Sequence, residues 1–185
     1  MAKNDEPLLL PFTIQVDQQE KKPWTYLGIH ADERENNRLL VVPTVEADLE
    51  TGDYTVRGFH RFLSIERKED DVYAVFGQDR KRIEAELQRM SYIPSSHFLF
   101  SRGWLDMLTN PPRRCKLNMK TIPATITRWT LRFPNVHFWF LDNRRMAEKF
   151  SLRLMRQFWK DVETAQRKKS GGWIGEAARS AAVNQ

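Results

Sequence analysis

A single cysteine, four scattered histidines and no long apolar run set the first limits on what this chain can do. With only Cys115 available, an internal disulfide framework is excluded, which points to a reducing, intracellular setting. No His or acid stands near Cys115 in sequence to activate it as a nucleophile. His30, His60, His97 and His137 lack the spacing of a metal cluster, so a zinc site is set aside. The nearest approach to a targeting signal is Leu8-Leu9-Leu10. It is too short for a membrane span or a signal segment, and acidic Asp5 and Glu6 precede it. These absences predict a soluble, cytoplasmic protein with no membrane partner. Internal repeats and low-complexity segments are also missing, and 185 residues suit one domain with a sizeable core better than two.

What is present is a core and a divided charge. Six Trp and an aromatic share of 11% are too much large apolar surface for a disordered chain. The net charge is +6, but residues 111–169 hold fifteen Lys and Arg against four acids, a balance of +11. Residues 1–110 hold fourteen basic and nineteen acidic residues, a balance of −5. A basic half suits phosphates and an acidic half suits a divalent cation, although solvated charged faces produce the same totals.

Periodicity orders the chain. Residues 1–11 read as a flexible leader, residues 12–169 as the folded domain and residues 170–185 as a flexible tail beyond the stop at Gly171-Gly172. Phe12, Ile14 and Val16 alternate with polar residues as a half-buried strand does, and Asp17 falls at its end, where open α/β sheets place ligand groups. Residues 30–38 form a polar loop. Strands are expected over residues 39–42, 44–49, 54–56, 62–68, 97–100 and 136–141. From Asp70 the period changes: Val72, Val75, Phe76, Ile83, Leu87 and Met90 share one helical face, with a break or bend at Gly77. A second helix carries Ile122, Ile126, Trp129 and Phe133. A third, capped by Asp142 or Asn143, carries Met146, Phe150, Leu154, Phe158, Val162 and Ala165. Strands first, then helices alternating with strands, describe an α/β domain with a central sheet covered by helices.

The chemistry concentrates in Gly52-Asp53 and, thirteen residues on, Glu66-Arg67-Lys68. In a strand, positions i and i+2 share a face, so Glu66 and Lys68 project together while Arg67 faces away. Asp53, at the preceding turn, is placed to meet Glu66. Two carboxylates and an ammonium are what phosphodiester hydrolysis requires: oxygen ligands for a hydrated Mg²⁺ and a cation for the charge that builds on phosphate. An acid-x-Lys pair is frequent by chance in a charged chain, but Leu63 and Ile65 alternate with Ser64, Glu66 and Lys68 as an otherwise apolar strand requires.

These residues resemble the signature of XPF-type nuclease domains. The family pattern runs Asp-x-Arg-Glu, then Gly-Asp, then Glu-Arg-Lys with an Asp shortly after. Here Asp17 and Glu20 match the first element with Gln19 in place of its arginine, and Asp53, Glu66, Arg67 and Lys68 match directly. The late Asp falls at Val72, with Asp70 and Asp71 just before it. Residues 82–87 and 113–160 are similar to small phage and bacterial members of the group, so the resemblance spans roughly residues 12–165. It implies a restriction-endonuclease-like fold, with a central mixed sheet flanked by helices in a single domain. It also implies a Mg²⁺- or Mn²⁺-dependent endonuclease acting on flaps, forks or junctions. Asp17, Glu20, Asp53 and Glu66 would form the metal site, with Lys68 as base or stabiliser.

Family members often carry tandem helix-hairpin-helix modules, for which residues after 170 leave no room, so the expected DNA contacts are the chain's own or those of a partner. Arg67, Lys81, Arg82, Arg113, Arg114, Arg144 and Arg145 are the candidates, with Arg89, Lys116, Lys149, Arg153, Arg156 and Lys160 extending the basic surface. Trp24 and Tyr26 are either core or a stacking platform for an unpaired base. The partner expected is branched or partly single-stranded DNA, with a homodimer or a partner protein also open. The rival expectations are a catalytically inactive DNA-binding or scaffolding subunit, and a junction resolvase of the same fold.

Overall fold

The computed structural model describes residues 6–69 and 72–168. Asp70, Asp71, the Gly171-Gly172 stop, the expected tail and the first five residues of the expected leader lie outside them.

Alternation of buried and solvated residues produces the strands. Ile14 and Val16 are buried between half-buried Gln15 and Asp17, forming β2 (Ile14–Asp17). The other main strands are β4 (Thr44–Ala47), β5 (Tyr54–Val56), β6 (Leu63–Lys68), β7 (Ser95–Phe100) and β8 (Val136–Phe140). They form one six-stranded sheet in the order β4-β2-β5-β6-β7-β8. Only β5 runs against its neighbours; β2–β4, β6–β7 and β7–β8 pair in parallel. A small parallel pair, β1 (Leu8–Leu9) with β3 (Leu40–Val41), stands beside the sheet. Part of the expected leader is therefore ordered: the Leu8 and Leu10 N–H groups donate to the carbonyls of Leu39 and Val41 at 2.8 and 3.0 Å.

The sheet separates two cores. Leu63 and Ile65 of β6 and Leu99 of β7 face one of them, which also holds Ile14, Val16, Tyr54 and the inner side of α5 (Arg144–Lys168). Phe98 and Phe100 face the other, with α1 (Val72–Phe76), α2 (Arg80–Met90), α3 (Trp104–Thr109) and α4 (Thr121–Arg132). In the second core Trp129 is fully buried and stacks on Phe76 and Phe138 at centroid distances of 5.8 and 6.1 Å. Its indole N–H reaches Glu84 at 3.1 Å. Truncating so large a buried aromatic costs about 3–5 kcal/mol. Trp129→Ala should show that loss in urea unfolding, and a loss below about 1 kcal/mol would contradict the packing described here.

Gly77 divides the expected 72–90 helix into α1 and α2, and Asn143 caps α5 by accepting the Met146 N–H at 2.9 Å. The apolar stripe of α5 differs from expectation. Phe158 and Val162 are buried as expected and Phe150 and Leu154 pack against the core, but Met146 is exposed and Ala147, Leu152 and Met155 join the buried face. Each four-residue step advances about 40° around a helix of about 100° per residue, so a strict four-residue repeat winds off its face within a few turns. Trp24 and Tyr26, offered as a platform for a base, are core: both are buried, and Trp24 stacks on Tyr54 at 4.5 Å. No helix among the described residues is long and apolar enough to cross a membrane.

Candidate active site

Strand direction explains how distant acids meet. The strands β2 and β6 run the same way, so Asp17 and Glu66–Lys68 lie toward one edge of the sheet, and antiparallel β5 begins at that edge just after Asp53. The Asp17 N–H donates to the Asp53 carbonyl at 2.8 Å, and the Asp53 N–H donates to the Ile65 carbonyl at 2.8 Å. Gly52 allows this approach. Its φ is +79°, and a Cβ there would lie 2.2 Å from Ser64 Oγ and 3.1 Å from the Ile65 carbonyl oxygen. Gly52→Ala should destabilise the protein by about 1–3 kcal/mol through that strain; an unchanged Tm would remove the argument.

Asp53 and Glu66 form the centre. Asp53 Oδ2 accepts the Arg67 N–H at 2.7 Å. Burial, reinforced by the negative charge of Glu66, pushes the Asp53 carboxyl well above its usual range. Burial also raises Glu66, against the lowering effect of the Lys68 ammonium with which it pairs. Burial alone would lower Lys68, but Glu66 and Asp53 hold it above its ordinary value. Its Nζ also lies over the Phe98 ring, 5.7 Å from the centroid.

A chain of ion pairs supports this centre from the other side of β6. The Arg67 guanidinium donates to Glu20 through Nη2 and Nε at 2.8 and 3.2 Å, and also pairs with Glu69. Glu69 in turn holds Arg144, whose Nη2 donates to the carbonyls of Lys22 and Pro23 at 2.7 and 3.0 Å. Arg145 pairs with Glu148 and donates to the carbonyls of Leu27 and Gly28. Three residues expected at the DNA surface therefore hold the fold together. The Nε and Nη nitrogens of Arg67, whose side chain is 8% exposed, and the Nη nitrogens of Arg144 and Arg145 are engaged by carboxylates and carbonyls.

A cleft of about 780 Å³ brings Asp17, Glu20, Asp53, Glu66 and Lys68 together. Arg82 and Arg89 of α2 form part of its rim. Lys81 is exposed on α2 outside that lining, and Arg113 and Arg114 are exposed between α3 and α4. Sequence reasoning missed two acids. Glu69 links Arg67 to Arg144, and Glu86 lines the cleft paired with Arg89. Glu86 could have been found from its place three residues before Arg89; it also follows Ile83 by three residues, at the border of the buried face of α2.

The donor set fits a divalent cation of limited demands. Glu66 is buried and Asp53 partly so, the charge of Glu66 makes Asp53 hold positive charge more tightly, and Mg²⁺ is commonly held by one or two carboxylates with waters and substrate oxygens. Among the described residues, no group of three or more His, Cys, Asp or Glu side chains stands ready to hold an ion. Glu20 is engaged by Arg67, and Asp17 Oδ1 accepts the Leu49 N–H at 3.3 Å.

No protein family and no curated protein matches the chain. Solved structures do, among them two of XPF from Aeropyrum pernix. One has a TM-score of 0.54 and 14% identity, covering 78% of this chain and 60% of that one. The other, a complex with DNA, has a TM-score of 0.56 and 15% identity, covering 92% of this chain and 78% of that one. At such identity the likeness is one of fold.

Proposed function

We propose, from the premise of an XPF-like nuclease fold, that the protein is a metal-dependent endonuclease that hydrolyses phosphodiester bonds in branched DNA. The observation that carries the reading is the meeting of partly buried Asp53 and buried Glu66 at one sheet edge, with Lys68 paired to Glu66. Asp53 and Glu66 would hold Mg²⁺ or Mn²⁺, with Asp17 and Glu20 at the cleft wall as further ligands. The cation would polarise the phosphoryl oxygen and lower the pKa of a bound water. Because Lys68 remains protonated at neutral pH, it is assigned to charge stabilisation and not to proton abstraction. Its ammonium holds the attacking water or the phosphate oxygen on which charge builds, as the new P–O bond forms and the old one breaks. Arg82 and Arg89, at the cleft rim, are placed to receive phosphates on either side of the scissile bond.

A second reading, a DNA-binding subunit without activity, draws on the engagement of Glu20 by Arg67 and of Asp17 by Leu49. Labelled flap, splayed-arm and four-way-junction DNA, offered to wild type with Mg²⁺, with Mn²⁺ and with EDTA, separates the two. Cleavage restricted to the metal lanes is expected. Binding without cleavage by either metal would establish the silent subunit instead. Duplex binding should weaken with salt at a log–log slope of about −0.9 per neutralised phosphate. A flat dependence would remove nucleic acid from the account.

A further inference from the structure

The basic face of α5 is partly covered by acid. Lys149, Arg153, Arg156 and Lys160 follow one another at steps of four, three and four, so they share one side of the helix over about 17 Å. They form one wall of a second cleft, of about 900 Å³, whose opposite wall comes from residues 28–35. Arg156 Nη2 donates to both Glu35 oxygens at 2.6 and 2.7 Å, and Arg153 Nη2 lies 3.9 Å from Asp32. Both members of the Arg153–Asp32 pair are largely exposed, so that contact is easily exchanged. This cleft is on the α5 side of the sheet, whereas Glu66 and Lys68 project toward the side that holds Phe98 and α2.

We propose that the α5 cleft is a second nucleic-acid track, which takes the phosphate backbone of a single strand in exchange for the carboxylates of Asp32 and Glu35. The inference rests on the nucleic-acid reading above and adds where a second strand goes. The walls are close enough for direct ion pairs, whereas a duplex whose grooves alone are about 6–12 Å wide cannot enter between them. No Phe, Tyr or Trp lines the cleft and His30 is the one ring in its lining, so contacts to the backbone outweigh base stacking and the binding is independent of sequence. A substrate whose strands part near Glu66 can send one of them across the sheet edge to α5; an unbranched duplex has no free strand to send.

The test is fluorescence anisotropy with labelled oligo-dT and a mixed-sequence oligonucleotide of equal length, using the whole chain in EDTA so that nothing is cut. Lys149→Ala/Arg153→Ala/Lys160→Ala is expected to weaken binding of both by about tenfold at low salt. It should also flatten the log–log salt slope by about 2, at roughly 0.7 per phosphate. Asp32→Asn/Glu35→Gln is expected to tighten binding about threefold more than Asp106→Asn/Asp142→Asn, a change of equal charge at acids lining neither cleft. Asp32→Asn alone serves if the loss of Glu35 leaves Arg156 unable to fold into place. Equal effects of the two acid pairs, or an unaltered slope in the basic triple variant, would overturn the track. Wild-type cleavage of a flap with Mn²⁺ is scored in parallel. Cleavage without the charge-specific effect defeats the track alone, and the charge-specific effect without cleavage defeats the nuclease reading alone.

Discussion

Asp53→Asn is expected to leave a protein at least as stable as wild type that binds flap DNA and cuts it more than about 100-fold more slowly. The size follows from comparison: losing a partner that only supports a metal ligand commonly lowers activity about 10–100-fold, and Asp53 is assigned as a ligand itself. The stability follows from the carboxyl's raised pKa, caused by burial and then by Glu66. A raised folded-state pKa means that the folded chain holds the proton more tightly than the unfolded one, where the value is about 3.9. The favourable contribution is complete below about pH 4 and is lost as pH rises through the folded value. At neutral pH and without metal, wild type therefore carries a penalty that the neutral amide escapes, while Asn can still accept the Arg67 N–H. Thermal unfolding in EDTA from pH 4 to pH 8 should show the variant gaining on wild type with rising pH. Added Mn²⁺ should raise the Tm of wild type and leave the variant unmoved. Cutting at the wild-type rate, or a Tm difference that ignores both pH and metal, would dismiss Asp53 as the centre of the site.

Arg67→Ala should cost about 3–5 kcal/mol of folding stability, the usual result of removing one partner from a buried ion pair. The guanidinium bridges Glu20 and Glu69, and the substitution leaves both carboxylates without it in a region where Glu20 is 10% exposed. Arg67→Lys should recover only part of the loss, because one ammonium cannot reproduce a planar fork that meets two acids. Urea unfolding at pH 7 measures the effect. A loss within about 1 kcal/mol of zero would mean that the pair is solvated.

Those two residues also mark where the sequence could be read and where it could not. The strand carrying Glu66 and Lys68 was legible because Leu63 and Ile65 alternate with them, and the turn at Gly52-Asp53 was legible because the glycine sits where left-handed backbone is needed. The helix break at Gly77 and the cap at Asn143 are local signals of the same kind. The occupation of Arg67 was not legible. Its partner Glu20 lies 47 residues away, and Arg144 reaches Glu69 across 75, so only the assembled sheet brings them together. Trp24 and Tyr26 were placed near the site by chain adjacency, but Tyr54 of β5 draws them into the core. Glu86 escaped notice because helix α2 meets the cleft only after β6 and β7 have paired.

The placing of Asp17, Asp53 and Glu66 on β2, before β5 and on β6 would tie the proposed activity to completion of folding. Asp53, Glu66 and Lys68 share one hairpin, but Asp17 joins them only when β2 pairs with β5, a contact distant in sequence of the kind that forms slowly. In rising denaturant, strand scission and tryptophan fluorescence should fade along one curve. On the nuclease reading proposed above, a half-assembled chain emerging from synthesis would be harmless to the DNA around it, since its acids would not yet have converged.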